Sequence, residues 1–180
     1  MVYLFLADGF EIIEALAPVD MLKRAKIDVK TVGVTGKTVR SSANICVSAD
    51  ITVDEINLDE NLEAVILPGG MPGTLNLENC PKVQEAIDFA TVNNLLICAI
   101  CAAPSILGHK DLLKDRYATA FPGFEKDLSG AKLSDEYVVT DGNIITARGA
   151  GVSIDFGLEI VKYLRGDDAQ ISVRKTIQCR

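Results

Sequence analysis

The chain has 180 residues, 48% hydrophobic and 24% charged, a balance that suits one globular domain of ordinary size and excludes disordered or fibrous classes. With 18 Lys and Arg against 25 Asp and Glu the formal charge is -7, and no basic stripe is present to track phosphates, which excludes nucleic acid as a partner. Five cysteines (Cys46, Cys80, Cys98, Cys101 and Cys179) are an odd number in a chain of this length, so reduced thiols are expected rather than a disulfide framework.

The opening MVYLFLADGF has no basic flank and its apolar run breaks at Asp8, so it reads as a buried strand over 2–7 and not as a signal peptide. No apolar run approaches membrane-spanning length, and a cytoplasmic protein without membrane partners is expected. A helix is predicted over 11–25, with Asp8 and Glu11 forming a capping-box variant at its start and Pro18 bending it beyond Glu14. Strands are predicted near 28–34, 64–67, 95–100 and 117–119, and helices near 80–93, 102–108 and 152–164. A short ribbon fits 38–48, and VVTDGNIIT (138–146) reads as a hairpin turning at Asp-Gly. The alternation predicts an α/β fold with a mostly parallel central sheet plus that hairpin. No repeat or linker interrupts it, so a single domain over 1–180 is expected.

LLICAICAAPSIL runs an apolar strand directly into Cys101, and Ala102, Ala103 and Pro104 then open a helix. That places the thiol at the carboxyl end of a parallel strand, where open α/β sheets bind ligands. It also places it at a helix N-terminus, which is expected to lower its pKa. The competing reading is a buried, inert core cysteine. Cys98, three residues earlier in the same strand, is expected to point to the opposite face, which argues against a dithiol pair or a metal site.

Glu14 sits among Ile13, Leu16 and Ala17, where partial burial would raise its pKa and keep it protonated; the competing reading is a solvated helix-face carboxylate. AVILPGGMPG ends another strand at Gly69 and Gly70, and the amides of Gly70 and Ala102 are candidate oxyanion donors. RGAGVS (148–153) is a glycine turn without the full dinucleotide-binding pattern. His109, eight residues past Cys101, lies roughly 12 Å along the helix, too far to pair with the thiol. A papain-like or amidotransferase mechanism therefore lacks its base.

Together ADGFEIIEALAPVD, VILPGGMPG, AICAAPS and ITARGAG, in this order over nearly the whole chain, resemble the ThiJ/PfpI superfamily, in its Parkinson-disease-associated protein deglycase branch. The resemblance implies a flavodoxin-like three-layer sandwich, related to class I glutamine amidotransferase domains, and a homodimer. It implies Cys101 as elbow nucleophile, Glu14 as the protonated carboxyl beside it, and Gly70 and Ala102 as oxyanion amides. Glu11, Gly69, Arg24, Phe121, Arg148 and Gly149 are expected around the pocket. Protease-like members carry a histidine directly after the nucleophile, where this chain has Ala102. The deglycase branch commonly places a histidine across the pocket, where this chain has Phe121. The implied activity is cysteine-dependent and needs no cofactor or metal: a small aldehyde such as methylglyoxal or glyoxal, or its adduct on a glycated protein, becomes a hydroxy acid. The alternative is an oxidative-stress sensor or redox-regulated chaperone acting through a Cys101 sulfinate.

Overall fold

Val2, Leu4 and Leu6 face one side of the first strand and Tyr3 and Phe5 the other, and all five are buried. A strand apolar on both faces needs a layer of helices on each side, which is the condition for a parallel sheet. The structure, a computed structural model that describes residues 1–179, meets that condition. In chain order its elements are β1 (Val2–Leu6), α1 (Ile12–Arg24), β2 (Val29–Gly33), β3 (Thr38–Arg40), β4 (Cys46–Ser48), β5 (Ile51–Thr52), β6 (Ala64–Leu67), α2 (Gly73–Glu78), α3 (Pro81–Val92), β7 (Leu96–Ile100), α4 (Pro104–His109), β8 (Tyr117–Ala118), β9 (Lys132–Leu133), β10 (Val138–Asp141), β11 (Ile144–Ala147), α5 (Ser153–Arg165) and α6 (Asp167–Thr176).

The main sheet runs β10-β11-β7-β6-β1-β2-β5, with only β10 antiparallel. The order β2-β1-β6-β7-β11 is the flavodoxin-like arrangement, whose switch point lies between β1 and β6. On one face Leu4, Leu6, Ile66 and Ile100 pack under α1 and α5. On the other, Phe5, Val65, Leu67 and Ile97 pack under α3 and α4, which completes three layers. Among the described residues no helix is long and apolar enough to cross a membrane.

The expected α/β sandwich and its hairpin are present, and the hairpin joins the main sheet through β11 alongside β7. The 38–48 ribbon is β3 paired with β4. The strand expected at 117–119 lies outside the main sheet: β8 pairs with β9, because the chain after α4 leaves the sheet before returning through the hairpin. Two helices, α2 and α6, were not expected from the sequence pattern; α2 is six residues long, and α6 is a polar surface helix with Val173 as its one buried residue. Asp8 does not cap α1. Glu11 is the N-cap residue, its carboxylate accepting from the Glu14 amide at 2.8 Å, while Asp8 accepts from the Arg40 amide at 2.8 Å. The capping carboxylate thus lies at the helix start itself, where it meets an unpaired N–H of the first turn.

Helix α1, with Pro18 inside it, lies against α5 at Gly157. A Cβ there would stand 2.9 Å from Pro18 Cα and 2.9 Å from Met21 Cγ, so the two helices touch almost backbone to side chain. Gly157→Val is expected to lower the unfolding free energy by about 1–3 kcal/mol through overpacking. Urea unfolding measures it, and an unchanged midpoint would show that α1 and α5 are not in close register.

Candidate active site

Four adjacent parallel strands, β1, β6, β7 and β11, deliver the segments singled out in the sequence at their carboxyl ends: Asp8–Glu14, Gly69–Gly70, Cys101 and Arg148–Ala150. Backbone hydrogen bonds tie these segments together. The Glu11 amide donates to the Gly69 carbonyl at 2.9 Å, the Cys101 amide to the Ala147 carbonyl at 2.8 Å, and the Phe121 amide to the Cys101 carbonyl at 2.8 Å.

Cys101 has φ 66, the left-handed region that a residue with a side chain adopts at a cost of roughly 1–3 kcal/mol. That turn ends the strand abruptly and leaves the thiol half-buried, with the amides of Ala102 and Gly70 donating to its sulfur. Cys98 does not face away from it as strand alternation predicts. Both cysteines contact the apolar layer under α1 and α5, because the left-handed residue ends the alternation. Cys98 is fully buried and its thiol is pushed well above its ordinary value by desolvation, so it is inert. All five cysteines are free.

The expected lowering of the Cys101 pKa is overturned. Burial, then the charge and hydrogen bond of Glu14, push the thiol from 9.0 up to about 12; the two amides pull it down without offsetting this. Helix α4 starts only at Pro104 and is six residues long, too short and too displaced for its dipole to prevail.

Glu14 is 1% exposed. Its Oε2 accepts from the Gly69 amide at 3.0 Å, the Ala150 amide donates to the same carboxyl, and Cys101 is its side-chain partner. Desolvation raises its pKa from 4.5 to about 7, with a further rise from Glu11, against the lowering effect of the hydrogen bonds from Cys101, Gly69 and Ala150. Between about pH 7 and about pH 12 the two groups therefore hold a single proton, shared between carboxyl oxygen and sulfur. A Cβ on Gly69 would stand 2.7 Å from Cys101 Cβ and 2.7 Å from Glu14 Oε2, so only glycine lets the pair meet there.

Beyond the pair, a cleft of ≈ 470 Å³ is walled by Phe121, Tyr137, Arg148, Gly149, Ala150 and Val152. Gly149 connects the cleft to Glu14: a Cβ on it would lie 3.2 Å from the Phe121 ring and 3.8 Å from Glu14 Oε1. Of the residues expected around the pocket, Phe121, Arg148 and Gly149 line this cleft, while Glu11 and Gly69 stand beside Glu14. Arg24, expected at a dimer-side pocket, is near neither within one chain. It ends α1, ten residues beyond Glu14, in an ion pair with Asp20 at 2.8 Å on the surface, because a helix rises about 1.5 Å per residue away from the strand end. His109 is likewise elsewhere, with Nδ1 2.5 Å from Glu78 Oε1. Sequence reasoning missed Ala150 and Tyr137. The glycine turn in RGAGVS was the available signal for Ala150, and the turn serves to aim an amide at Glu14. Among the described residues no cluster of His, Cys, Asp or Glu could hold a metal ion.

The raised carboxyl makes stability depend on pH. A group with a folded pKa of about 7 and an ordinary value of 4.5 stabilises the native state fully below pH 4.5, and that contribution is lost as pH rises through about 7. The loss amounts to about 3 kcal/mol. Glu14→Gln is expected to abolish that part of the dependence, so that the variant gains on the native protein from pH 4.5 to about pH 8 in denaturant unfolding. Parallel profiles for the two proteins would mean that Glu14 ionises as an ordinary carboxyl.

The DJ-1/PfpI family model matches residues 1–163. The "Parkinson disease protein 7 homolog" of Danio rerio is 35% identical over 173 residues, covering 94% of this chain and 92% of that protein. The "Protein dj-1beta" of Drosophila melanogaster is 31% identical over 94% of this chain and 92% of its own length. Among solved structures, a cysteine-to-alanine mutant of a DJ-1 superfamily protein from Salmonella typhimurium superposes with a TM-score of 0.93 at 34% identity, covering 99% of this chain and 98% of that one. Toxoplasma gondii DJ-1, in an oxidized form, gives 0.94 at 27% identity over 99% and 97%. The chain belongs to the DJ-1/PfpI family, in its DJ-1 branch.

Proposed function

We propose that the protein is a cysteine-dependent, cofactor-independent enzyme that converts reactive dicarbonyls such as methylglyoxal and glyoxal, free or as early adducts on protein side chains, to hydroxy acids. The observation that carries this reading is a buried carboxyl with a pKa of about 7 hydrogen-bonded to a thiol that two backbone amides face. A carboxyl tuned to neutral pH is an effective proton carrier in both directions.

In this reaction Cys101 Sγ attacks the aldehyde carbon while the thiol proton passes to Glu14, and the amides of Gly70 and Ala102 face the oxyanion that forms. Reprotonation of that oxygen gives a hemithioacetal. Glu14 as carboxylate then takes the C–H proton of the former aldehyde carbon and delivers it to the adjacent carbonyl carbon, with the enediol proton moving between the two oxygens. The result is a thioester of the hydroxy acid. Water hydrolyses it, releasing the acid and restoring the thiol, so the sum is dicarbonyl plus water to hydroxy acid. Phe121, standing where the branch commonly has a histidine, carries no proton, which leaves Glu14 to make both transfers.

The second reading is a redox sensor in which peroxide oxidises Cys101 to a sulfinate that protonated Glu14 stabilises by a hydrogen bond. The solved Toxoplasma relative is described as oxidized, which favours keeping this reading in the test.

Lactate formation from methylglyoxal, without glutathione or metal, separates the two. Multiple turnovers are expected from the native protein, with kcat/KM rising as pH passes upward through about 7, since the singly protonated pair is the active form. Cys101→Ser and Glu14→Gln are each expected to reduce it by about a hundredfold or more. A native protein that gives no turnover while peroxide modifies Cys101 selectively would replace the enzyme reading with the redox one.

A further inference from the structure

Arg148 follows β11 directly, and it lines the cleft that opens beside the Glu14–Cys101 pair. Its Nε–H is buried and has no acceptor among the described residues, a costly state for part of a cation. The guanidinium is held in place from one side: its Cζ lies 5.5 Å from the centroid of the Tyr137 ring, and the Arg148 amide donates to the Tyr137 carbonyl at 2.9 Å. The carboxylate that feels its charge, Glu125, already accepts from the Gly123 amide at 2.6 Å and from its own amide. No ion pair to Arg148 forms within hydrogen-bonding reach among the described residues.

The rest of the wall is apolar and partly open. Phe121 is 47% exposed and Tyr137 61%, and Val152 completes that side. A cleft with one fixed, under-used guanidinium, two aromatic edges and the Glu14 carboxyl behind Gly149 matches a ligand with three parts: an aldehyde end, a short apolar spacer and an anionic oxygen group. At ≈ 470 Å³ it is roomier than methylglyoxal requires.

We infer that Arg148 is a substrate-binding residue and that the preferred dicarbonyl bears a carboxylate beyond its ketone, so that the guanidinium fixes the acid while the aldehyde reaches Cys101. The reaction is the one proposed above and rests on that reading; the binding of the anion does not. With a carboxyethyl-substituted glyoxal the sum is substrate plus water to the corresponding hydroxy diacid, with no oxidant or reductant. Phe121 and Tyr137 enclose the spacer.

The test compares carboxyethylglyoxal with its methyl ester, which keeps the shape and removes the charge. The native protein is expected to favour the acid by about tenfold or more in kcat/KM, carried by KM, since one charge-assisted contact is worth about that much. In Arg148→Met the ratio is expected to fall to about one, and Arg148→Lys, which keeps charge but loses the guanidinium fork, should fall between. Should Arg148→Met fail to fold, Arg148→Lys decides alone, and an unaltered ratio in it overturns the inference. A second arm needs no turnover: levulinate, which has the ketone and carboxylate without the aldehyde, is titrated calorimetrically into Cys101→Ser with and without the Arg148 substitution. Levulinate binding that disappears with Arg148 supports the subsite even if no dicarbonyl is turned over. Equal rates on acid and ester, or levulinate binding indifferent to Arg148, overturns the inference while leaving the dicarbonyl reaction standing.

Discussion

A carboxyl group sealed from solvent in the first turn of α1 governs the rest of this site. Glu14 would ionise near 4.5 in water, and burial lifts it to about 7 even though Cys101 and the amides of Gly69 and Ala150 all favour its charged form. Desolvation outweighs three hydrogen bonds because the carboxyl, on α1, is enclosed by the Gly69 turn on one side and the 148–150 turn on the other. The same enclosure acts on Cys101 and drives its thiol upward, so neither group behaves as an independent acid near neutral pH. Their proton is common property, and reactivity follows from how easily it moves between oxygen and sulfur.

The fold supplies this enclosure with backbone more than with side chains. Parallel strands end together, so four chain segments from distant parts of the sequence meet within a small volume and each contributes a peptide group. Gly69 allows Cys101 and Glu14 to approach across it, and Cys101 itself accepts a left-handed conformation to leave the strand. Such strain persists only where surrounding contacts over-determine it; here the Cys101 amide and carbonyl are both bound, to Ala147 and Phe121 respectively. A rigid frame of peptides makes donors available without reorganisation, which is the physical advantage of amides over mobile side chains at a developing oxyanion.

Much of this was legible in the sequence because the relevant signals are local. Apolar strands closing on Gly69-Gly70 and on Cys101-Ala102 mark strand-end turns, and Glu14 among Ile13, Leu16 and Ala17 marks a carboxyl in apolar surroundings. What failed to read depended on three-dimensional balance. The sign of the Cys101 shift turned on desolvation and on a neighbour 87 residues away in the chain, neither visible in a turn motif. Cys98 was misplaced because period-two alternation cannot foresee the left-handed residue that ends it. Arg24, assigned by resemblance to a dimer-side pocket, lies at the far end of α1 from the pair within one chain. The strand at 117–119 has β propensity, yet its pairing with β9 in a separate ribbon is a tertiary outcome.

The most direct measurement is the ionisation of Glu14 itself, followed by carbon-13 NMR of glutamate carboxyls and assigned by its absence from Glu14→Gln. The account predicts a carboxyl titrating near pH 7, with its curve altered when Cys101 is replaced by serine. A Glu14 resonance that titrates at its ordinary 4.5 and ignores Cys101 would contradict it, because the shared proton on which the site depends would not exist.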